Sequence, residues 1–355
     1  MHKAANESKE FVRKNIKGIL IQKNGLKNNF IPKVSIITPM YNCQNTIKNT
    51  IRSIQNQNLI KIEIILINDF SKDNTLKITK NLKFEDSRIK IINNKKNMGI
   101  LYTRCIGALS SKGKYIFPLD NDDMFLSEDI LNVAYKEAKF NEIDIVTFKG
   151  IKVFNINDFF NNINLKEFRN YKNIRVYHQP ELGDFSIGKY VIWGKCIKTK
   201  LYKKAIQSLG KKRYSQYITF LEDGIIHYIL CQKAKSSKQI LKYGILKIYR
   251  SQSVSHSLKD IKKNKFIIKY IEIAFEFSRN APIAKEEIAN YIIKFFFKKK
   301  KSLLINLKDK KIFKCFYSLI KRILNSKYIS QQKKTIIKHN IIIKKLKIWN
   351  SYKEK

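Results

Sequence analysis

The sequence predicts an α/β protein with a mostly parallel, doubly wound central sheet flanked by helices, followed by a basic α-helical C-terminal appendage. Three observations carry that expectation. Between residues 34 and 148 short apolar runs alternate with amphipathic stretches, the pattern of strands and helices taking turns. Three of the apolar runs end in polar or acidic residues, at the edge of an open sheet where ligands sit outside the strands' carboxyl ends. Beyond about residue 258 the sequence has a helical period and is rich in lysine.

The elements follow in order. Residues 34–38 read as a buried strand ended by Pro39, and Asn45 or Thr46 can cap a helix on which Ile47, Ile51 and Ile54 share one face. Residues 62–67 form a second strand, and the turn-rich Asn68-Asp69-Phe70-Ser71-Lys72-Asp73-Asn74 leads into a helix from Thr75. Strands follow at 89–92 and 115–119, with a helix near 100–109 between them. Ser127 caps a helix through Lys139, and 143–148 is one more strand. The pattern loosens from 151 to 177, where Asn and aromatic residues accumulate, and tightens again at 190–196, 219–230 and 243–255. This divides the chain into an N-terminal extension (1–32), a domain (33–257, with halves 33–125 and 126–257) and a basic helical region (258–355).

Composition narrows the function. The chain has 355 residues, 72 Lys plus Arg against 28 Asp plus Glu, and a formal charge of +44, yet its 44% hydrophobic and 12% aromatic content excludes a wholly disordered chain. Lys, Asn or Glu interrupts every Ile-rich stretch before the roughly 18 apolar residues of a membrane-spanning helix are reached. The first thirty residues lack the apolar core of a secretory signal. Five cysteines, odd in number and without a CxxC pair, fit a reducing compartment, so the expected location is cytoplasmic, or peripheral at a membrane surface. Only ten of the 72 basic residues are Arg, and Lys, Asn and Ile are inflated together along the chain. That is the mark of codon drift more than of a nucleic-acid surface, so no nucleic-acid partner is expected. The excess is still uneven, with +18 on residues 291–355. No GxGxxG occurs, and the stretch from Gly107 to Lys114 fails as a P-loop: five residues separate Gly107 from Gly113, and Tyr115 stands where a Ser or Thr belongs.

The chemistry concentrates in Asp120, Asp122 and Asp123, which directly follow an apolar strand. Carboxylates at that density repel one another unless solvated or held by a cation, and hard oxygen ligands suit Mg2+ or Mn2+. With this turn in place, residues 34–125 resemble the amino-terminal half of family 2 glycosyltransferases, which have the GT-A (Rossmann-like) fold. Thr38-Pro39-Met40-Tyr41-Asn42 resembles the family's first nucleotide-contacting loop, and Asn68-Asp69-Phe70-Ser71-Lys72-Asp73 its acidic loop. Asn97-Met98-Gly99 with Thr103-Arg104-Cys105 and Gly107 is similar to its Asn-x-Gly and Ala-Arg-Asn stretch, and Asp120-Asn121-Asp122-Asp123 to its DxD motif. The sequence departs from the family at Asn68 (usually Asp), Phe70 (usually Gly) and Cys105 (usually Asn). Further on, Ile192-Trp193-Gly194-Lys195 resembles the acceptor-side segment, Phe220-Leu221-Glu222-Asp223 the motif holding the catalytic base, and 249–256 the segment that closes the domain.

The resemblance implies a metal-dependent, inverting transfer from a nucleotide-sugar, UDP-linked by preference, to a hydroxyl of a glycan or lipid-linked saccharide. Asp223, with Glu222 beside it, is then the base. Thr38, Pro39, Tyr41, Asn42, Asp69, Arg104, Asp120 and Asn121 bind the nucleotide-sugar; Asp122, Asp120 and His256 hold the divalent cation, Mn2+ or Mg2+; Trp193, Gly194 and Lys195 face the acceptor. The competing reading is a polyanion- or nucleic-acid-binding protein with an inactive domain of this kind. Compatible with the first reading, residues 291–355 set Ile and Phe beside lysine runs, as helices lying on anionic lipid do.

Overall fold

The computed structural model describes residues 31–153, 174–177, 191–219 and 222–248, with isolated positions beyond. Residues 1–30 of the expected N-terminal extension, most of the 151–177 stretch, residues 249–256 and nearly all of the basic region 258–355 lie outside the described residues. What is described divides into two compact units, one comprising 31–153, 174–177, 191–218 and 233–248, the other 219 and 222–232 with the isolated positions.

The first unit begins with the expected alternation: β1 (Val34–Met40), α1 (Ile47–Gln55), β2 (Ile62–Asn68), α2 (Thr75–Glu85), β3 (Ile89–Asn93), α3 (Ile100–Ser110) and β4 (Tyr115–Pro118). The four strands are parallel and lie in the order β3-β2-β1-β4. β1 and β2 are buried at every position, because helices cover both faces. Side-chain alternation separates those faces. Val34, Ile36, Ile62, Ile64 and Leu66 join Ile47, Ile51 and Ile54 of α1 in one core. On the opposite face α3 comes so close that a Cβ on Gly107 would lie 2.6 Å from Cδ1 of Ile67. β1 runs through Pro39 to Met40: its ladder with β4 has already ended at Ile37↔Pro118, so the missing N–H removes no bond from that side.

After β4 the chain makes β5 (Asp123–Phe125), α4 (Ile130–Phe140), β6 (Ile145–Val153), β7 (Ile174–Tyr177), β8 (Lys195–Lys198), α5 (Thr199–Leu209), α6 (Lys211–Tyr214), α7 (Glu222–Lys233) and β9 (Ser237–Ile248). Beyond β4 the sheet is mixed. β8 is antiparallel to β4 and to β6, β9 is parallel to β6, β5 is antiparallel to β9, and β7 is antiparallel to β6. The short strand β5 is not evident in the sequence, where Asp123 reads as part of a turn; three residues carry too little periodicity to register.

The cap expected at Ser127 is a correction. α4 begins at Ile130 with Asp129 before it, and Ser127 Oγ donates to Asp129 Oδ1 at 2.7 Å. The early N–H of Leu131 donates to Gln57 Oε1 (3.0 Å), while Gln57 Nε2 donates to the Ser127 carbonyl (2.7 Å). A side chain about seventy residues upstream therefore satisfies a helix end that usually draws on a local cap. In the second unit α7 is buried along most of its length, and the Cys231 thiol lies 3.3 Å from Nε2 of His227 one turn earlier.

Candidate active site

The carboxyl ends of β1 and β2 are tied by their loops. Asn42, in the left-handed region (φ 47°), donates its N–H to Ser71 Oγ and accepts the Lys72 N–H on Oδ1 (2.8 Å). Gln44 N–H donates to Asp73 Oδ2, and Cys43 N–H to Thr75 Oγ1. Thr38 and Pro39 lie inside β1, Thr38 fully buried, and Tyr41 is exposed at the tip. Phe70 also adopts the left-handed region (φ 66°), where the family's usual Gly has no steric cost. Its ring lies 3.7 Å from Lys72 Nζ.

Asp69, at the end of β2, is nearly buried and accepts three hydrogen bonds: from Asn94 Nδ2 (2.7 Å), Met98 N–H (2.8 Å) and Gly99 N–H (2.9 Å). It thereby fixes the segment that starts α3. Gly99 has φ +86°, and an added Cβ would sit 3.0 Å from the Ile218 carbonyl oxygen, so both conformation and space demand glycine. α3 in turn carries Arg104, nearly buried, whose Nη2 meets Asp120 Oδ1 at 2.5 Å. Cys105 points into the core, and burial pushes its thiol well above the ordinary value, so the departure from Asn at that position places no nucleophile in the site.

The turn 120–123 is braced from both sides. Asn121 Nδ2 donates to the Pro39 carbonyl (2.9 Å), Thr50 Oγ1 donates to the Asn121 carbonyl, and Asp123 N–H returns to the Asp120 carbonyl. Asp120, Asp122 and Asp123 each offer an oxygen within 4.8 Å of the others. This hard, all-oxygen donor set can chelate a divalent metal ion, with room in the ion's shell for water or phosphate. Burial would raise Asp120, but Arg104 and Lys247 outweigh it and hold the carboxyl down at about 2. Burial, together with Asp120 and Asp122, acts to raise Asp123, and the Lys247 ammonium beside it pulls the other way. Burial acts to lower Lys247, and the three aspartates more than reverse it, so the amine stays charged.

Lys247 is the residue that sequence reasoning missed. It faces Asp123 as its Cα partner across β5 and β9, and its Nζ reaches Asp123 Oδ2 (2.5 Å) and Asp120 Oδ2 (3.4 Å). The same Nζ lies 4.8 Å from the ring of Trp193. Trp193 is buried against β6, where a Cβ on Gly150 would come within 2.4 Å of Cζ3. Gly194 is left-handed (φ 67°) and gives its carbonyl to Phe148 N–H, and Lys195 is fully buried at the start of β8. The structure thus gathers Thr38, Pro39, Tyr41, Asn42, Asp69, Arg104, Asp120, Asn121, Asp122 and Trp193, Gly194 and Lys195 in one unit. Glu222, buried, and Asp223, half-buried, open α7 in the other unit. His256 lies outside the described residues.

Comparison with known proteins bears on the sequence pattern and the fold. The sequence pattern of "Glycosyl transferase family 2" matches residues 35–205. The chain is similar to an uncharacterized glycosyltransferase of Bacillus subtilis, EpsJ, at 39% identity over 116 residues, 33% of each chain. It is also similar to the cholesterol galactosyltransferase of Borreliella burgdorferi, at 27% identity over 303 residues and 80% of each chain. The chain spans 33% or less of the length of four curated relatives that it matches, EpsJ among them. Among solved structures, S. aureus TarS 1-349 in complex with UDP-GlcNAc has a similar fold, with a TM-score of 0.63 at 14% identity over 91% of this chain and 92% of that one. The parallel half-sheet, the acidic turn after β4 and the matched sequence pattern agree: residues 35–205 match the glycosyl transferase family 2 pattern, and the sheet is that of the GT-A fold.

Proposed function

We propose that the protein transfers a sugar from a nucleotide-sugar, UDP-linked by preference, to a hydroxyl of a glycan or lipid-linked acceptor, with inversion at the anomeric carbon. One observation carries this reading: the aspartate turn, anchored by Arg104 and able to chelate a divalent ion, sits at the carboxyl edge of the parallel strands in a family 2 domain. Asp122 and Asp120 would hold Mn2+ or Mg2+, which would supply Lewis-acid stabilisation of the charge developing on the departing diphosphate. The chain's own residues do the rest. Asp69 holds the 94–99 segment that leads into α3. Tyr41, an exposed aromatic at the β1 tip, offers a face for the base. Arg104 keeps Asp120 ionised and aimed. Asp223, with Glu222 next to it, takes the proton of the attacking hydroxyl, and a carboxylate suits that work because direct displacement needs one base and no covalent intermediate.

In this reading 33–257 is the catalytic domain, with 33–125 binding the donor and 126–257 the acceptor. The Borreliella relative's named acceptor, a sterol, and the nucleotide sugar held by TarS fit a hydroxyl acceptor and a UDP-linked donor. The test is a donor screen that measures released nucleoside diphosphate with Mn2+ and with Mg2+. UDP release by the wild type and its loss by more than about a hundredfold in Asp122→Ala is the expected result. Release undiminished in a folded Asp122→Ala overturns the assignment.

A further inference from the structure

Resting on the reading of the acidic turn as a divalent-cation site, we propose that Lys247 is the resident counter-cation of that site: it weakens the turn's hold on a free metal ion, so that the ion is retained together with a nucleoside diphosphate and not ahead of it.

The placement of Lys247 comes from sheet register. Asp123 and Lys247 are Cα partners in the antiparallel β5–β9 pair, and directly opposed residues send their side chains to the same face of the sheet. The neighbouring pairs Met124↔Leu246 and Phe125↔Ile245 and the bond from Leu126 N–H to the Gly244 carbonyl hold that register. The amine then has three fixed neighbours: Asp123 Oδ2 at 2.5 Å, Asp120 Oδ2 at 3.4 Å, and the Trp193 ring at 4.8 Å. Trp193 can lie there because Gly150 leaves space for its six-membered ring. An aromatic face on one side and carboxylates on the other make a seat for a cation, not a surface lysine that happens to reach an acid.

The consequence for a metal ion is electrostatic. Both oxygens of Asp120 already face protein cations, Oδ1 with Arg104 and Oδ2 with Lys247, and Asp123 Oδ2 faces Lys247 as well. A divalent ion arriving alone meets a partly neutralised turn and a like charge a few ångströms away, a repulsion that is large where water is scarce. A diphosphate brings negative charge that Lys247 and the ion share, and the repulsion becomes an attraction. By linkage, ion and nucleotide then strengthen each other's binding by the same factor.

The experiment is a Mn2+ titration followed by electron paramagnetic resonance, on the full-length protein, with and without UDP. The variants are Lys247→Gln, Lys247→Met, Lys247→Arg and Asp122→Ala, each checked for a native circular-dichroism spectrum. In the nucleotide-free protein Lys247→Gln and Lys247→Met are expected to bind Mn2+ about tenfold more tightly than the wild type, and Lys247→Arg, which keeps the charge, to stay near it. Lys247→Gln retains a hydrogen-bond donor for Asp123 and covers the case in which Lys247→Met does not fold. Unchanged or weaker Mn2+ binding in a folded charge-removing variant overturns the proposal. Mn2+ binding that is the same in wild type and Asp122→Ala overturns instead the reading of the acidic turn on which it rests, so the two failures are separable.

Discussion

Asp86 and Arg88 show how one residue can hold an element in place. Arg88 donates from Nε and Nη2 to the two Asp86 oxygens at 2.9 and 2.7 Å, both side chains almost wholly buried, just before β3. Burial by itself would raise Asp86, yet the bidentate arginine and Gln55 hold it below its ordinary value of 3.8. The sign follows from linkage. A carboxyl depressed in the folded protein adds stability that is fully present above pH 3.8 and is lost as the pH falls through the folded-state value. Urea unfolding between pH 7 and pH 3 should therefore show stability dropping at the acid end, with the drop smaller in Asp86→Asn. At pH 7 that variant should be less stable by about 3 kcal/mol, because it leaves a buried guanidinium without its counter-charge. Phe70 is the opposite case, a residue that tolerates an awkward position. The left-handed region costs a bulky side chain about 1 kcal/mol, and the lysine packed over the ring returns part of it.

Among the elements, β6 and the segment before β8 depend on one another through Gly150 and Trp193. Gly150 has no positive φ, so alanine is conformationally acceptable there, and the obstacle is the indole ring 2.4 Å from the new Cβ. Gly150→Ala is expected to lower stability by about 1–3 kcal/mol through overpacking. It should also shift the emission of Trp193, one of two tryptophans in the chain, and a variant with wild-type stability and emission would contradict this packing. The first four strands and three helices were legible because each has its own period: Ile47, Ile51 and Ile54 mark a helix face without help from the rest of the chain. Ser127 was misleading for the complementary reason. It is a good local cap by residue type, but Gln57 reaches the end of α4 from a distant loop, and nothing local signals a long-range cap.

For the whole molecule, charge is the dominant property. The formal +44 is spread along the chain, and the +18 on residues 291–355 is its most concentrated part. No helix among the described residues is long and apolar enough to cross a membrane. For residues 291–355 the sequence, with Ile and Phe beside lysine runs, carries the expectation of electrostatic, interfacial lipid contact. Flotation of the full chain with vesicles containing phosphatidylglycerol should recover the protein at 0.1 M salt and lose it near 1 M, where the Debye length has shrunk to about 3 Å. Equal recovery with phosphatidylcholine alone, or no recovery with either, would remove the peripheral-membrane expectation.

The candidate site shows where sequence and tertiary structure divide the work. Asp120, Asp122 and Asp123 are adjacent in the chain, so their clustering follows from local connectivity at the end of a buried strand. The order of the loops at 38–42, 68–73 and 97–107 is equally a property of the sequence, and it carried the family resemblance. Lys247 is different. It is one of sixty-two lysines, with nothing in its neighbours to single it out, and it meets Asp123 across a separation of 124 residues. Only the pairing of β5 with β9 decides which lysine reaches the acids, because a one-residue slip would turn its side chain to the other face of the sheet. The sequence by itself determined which carboxylates gather at the site; the tertiary structure decided which cations balance them.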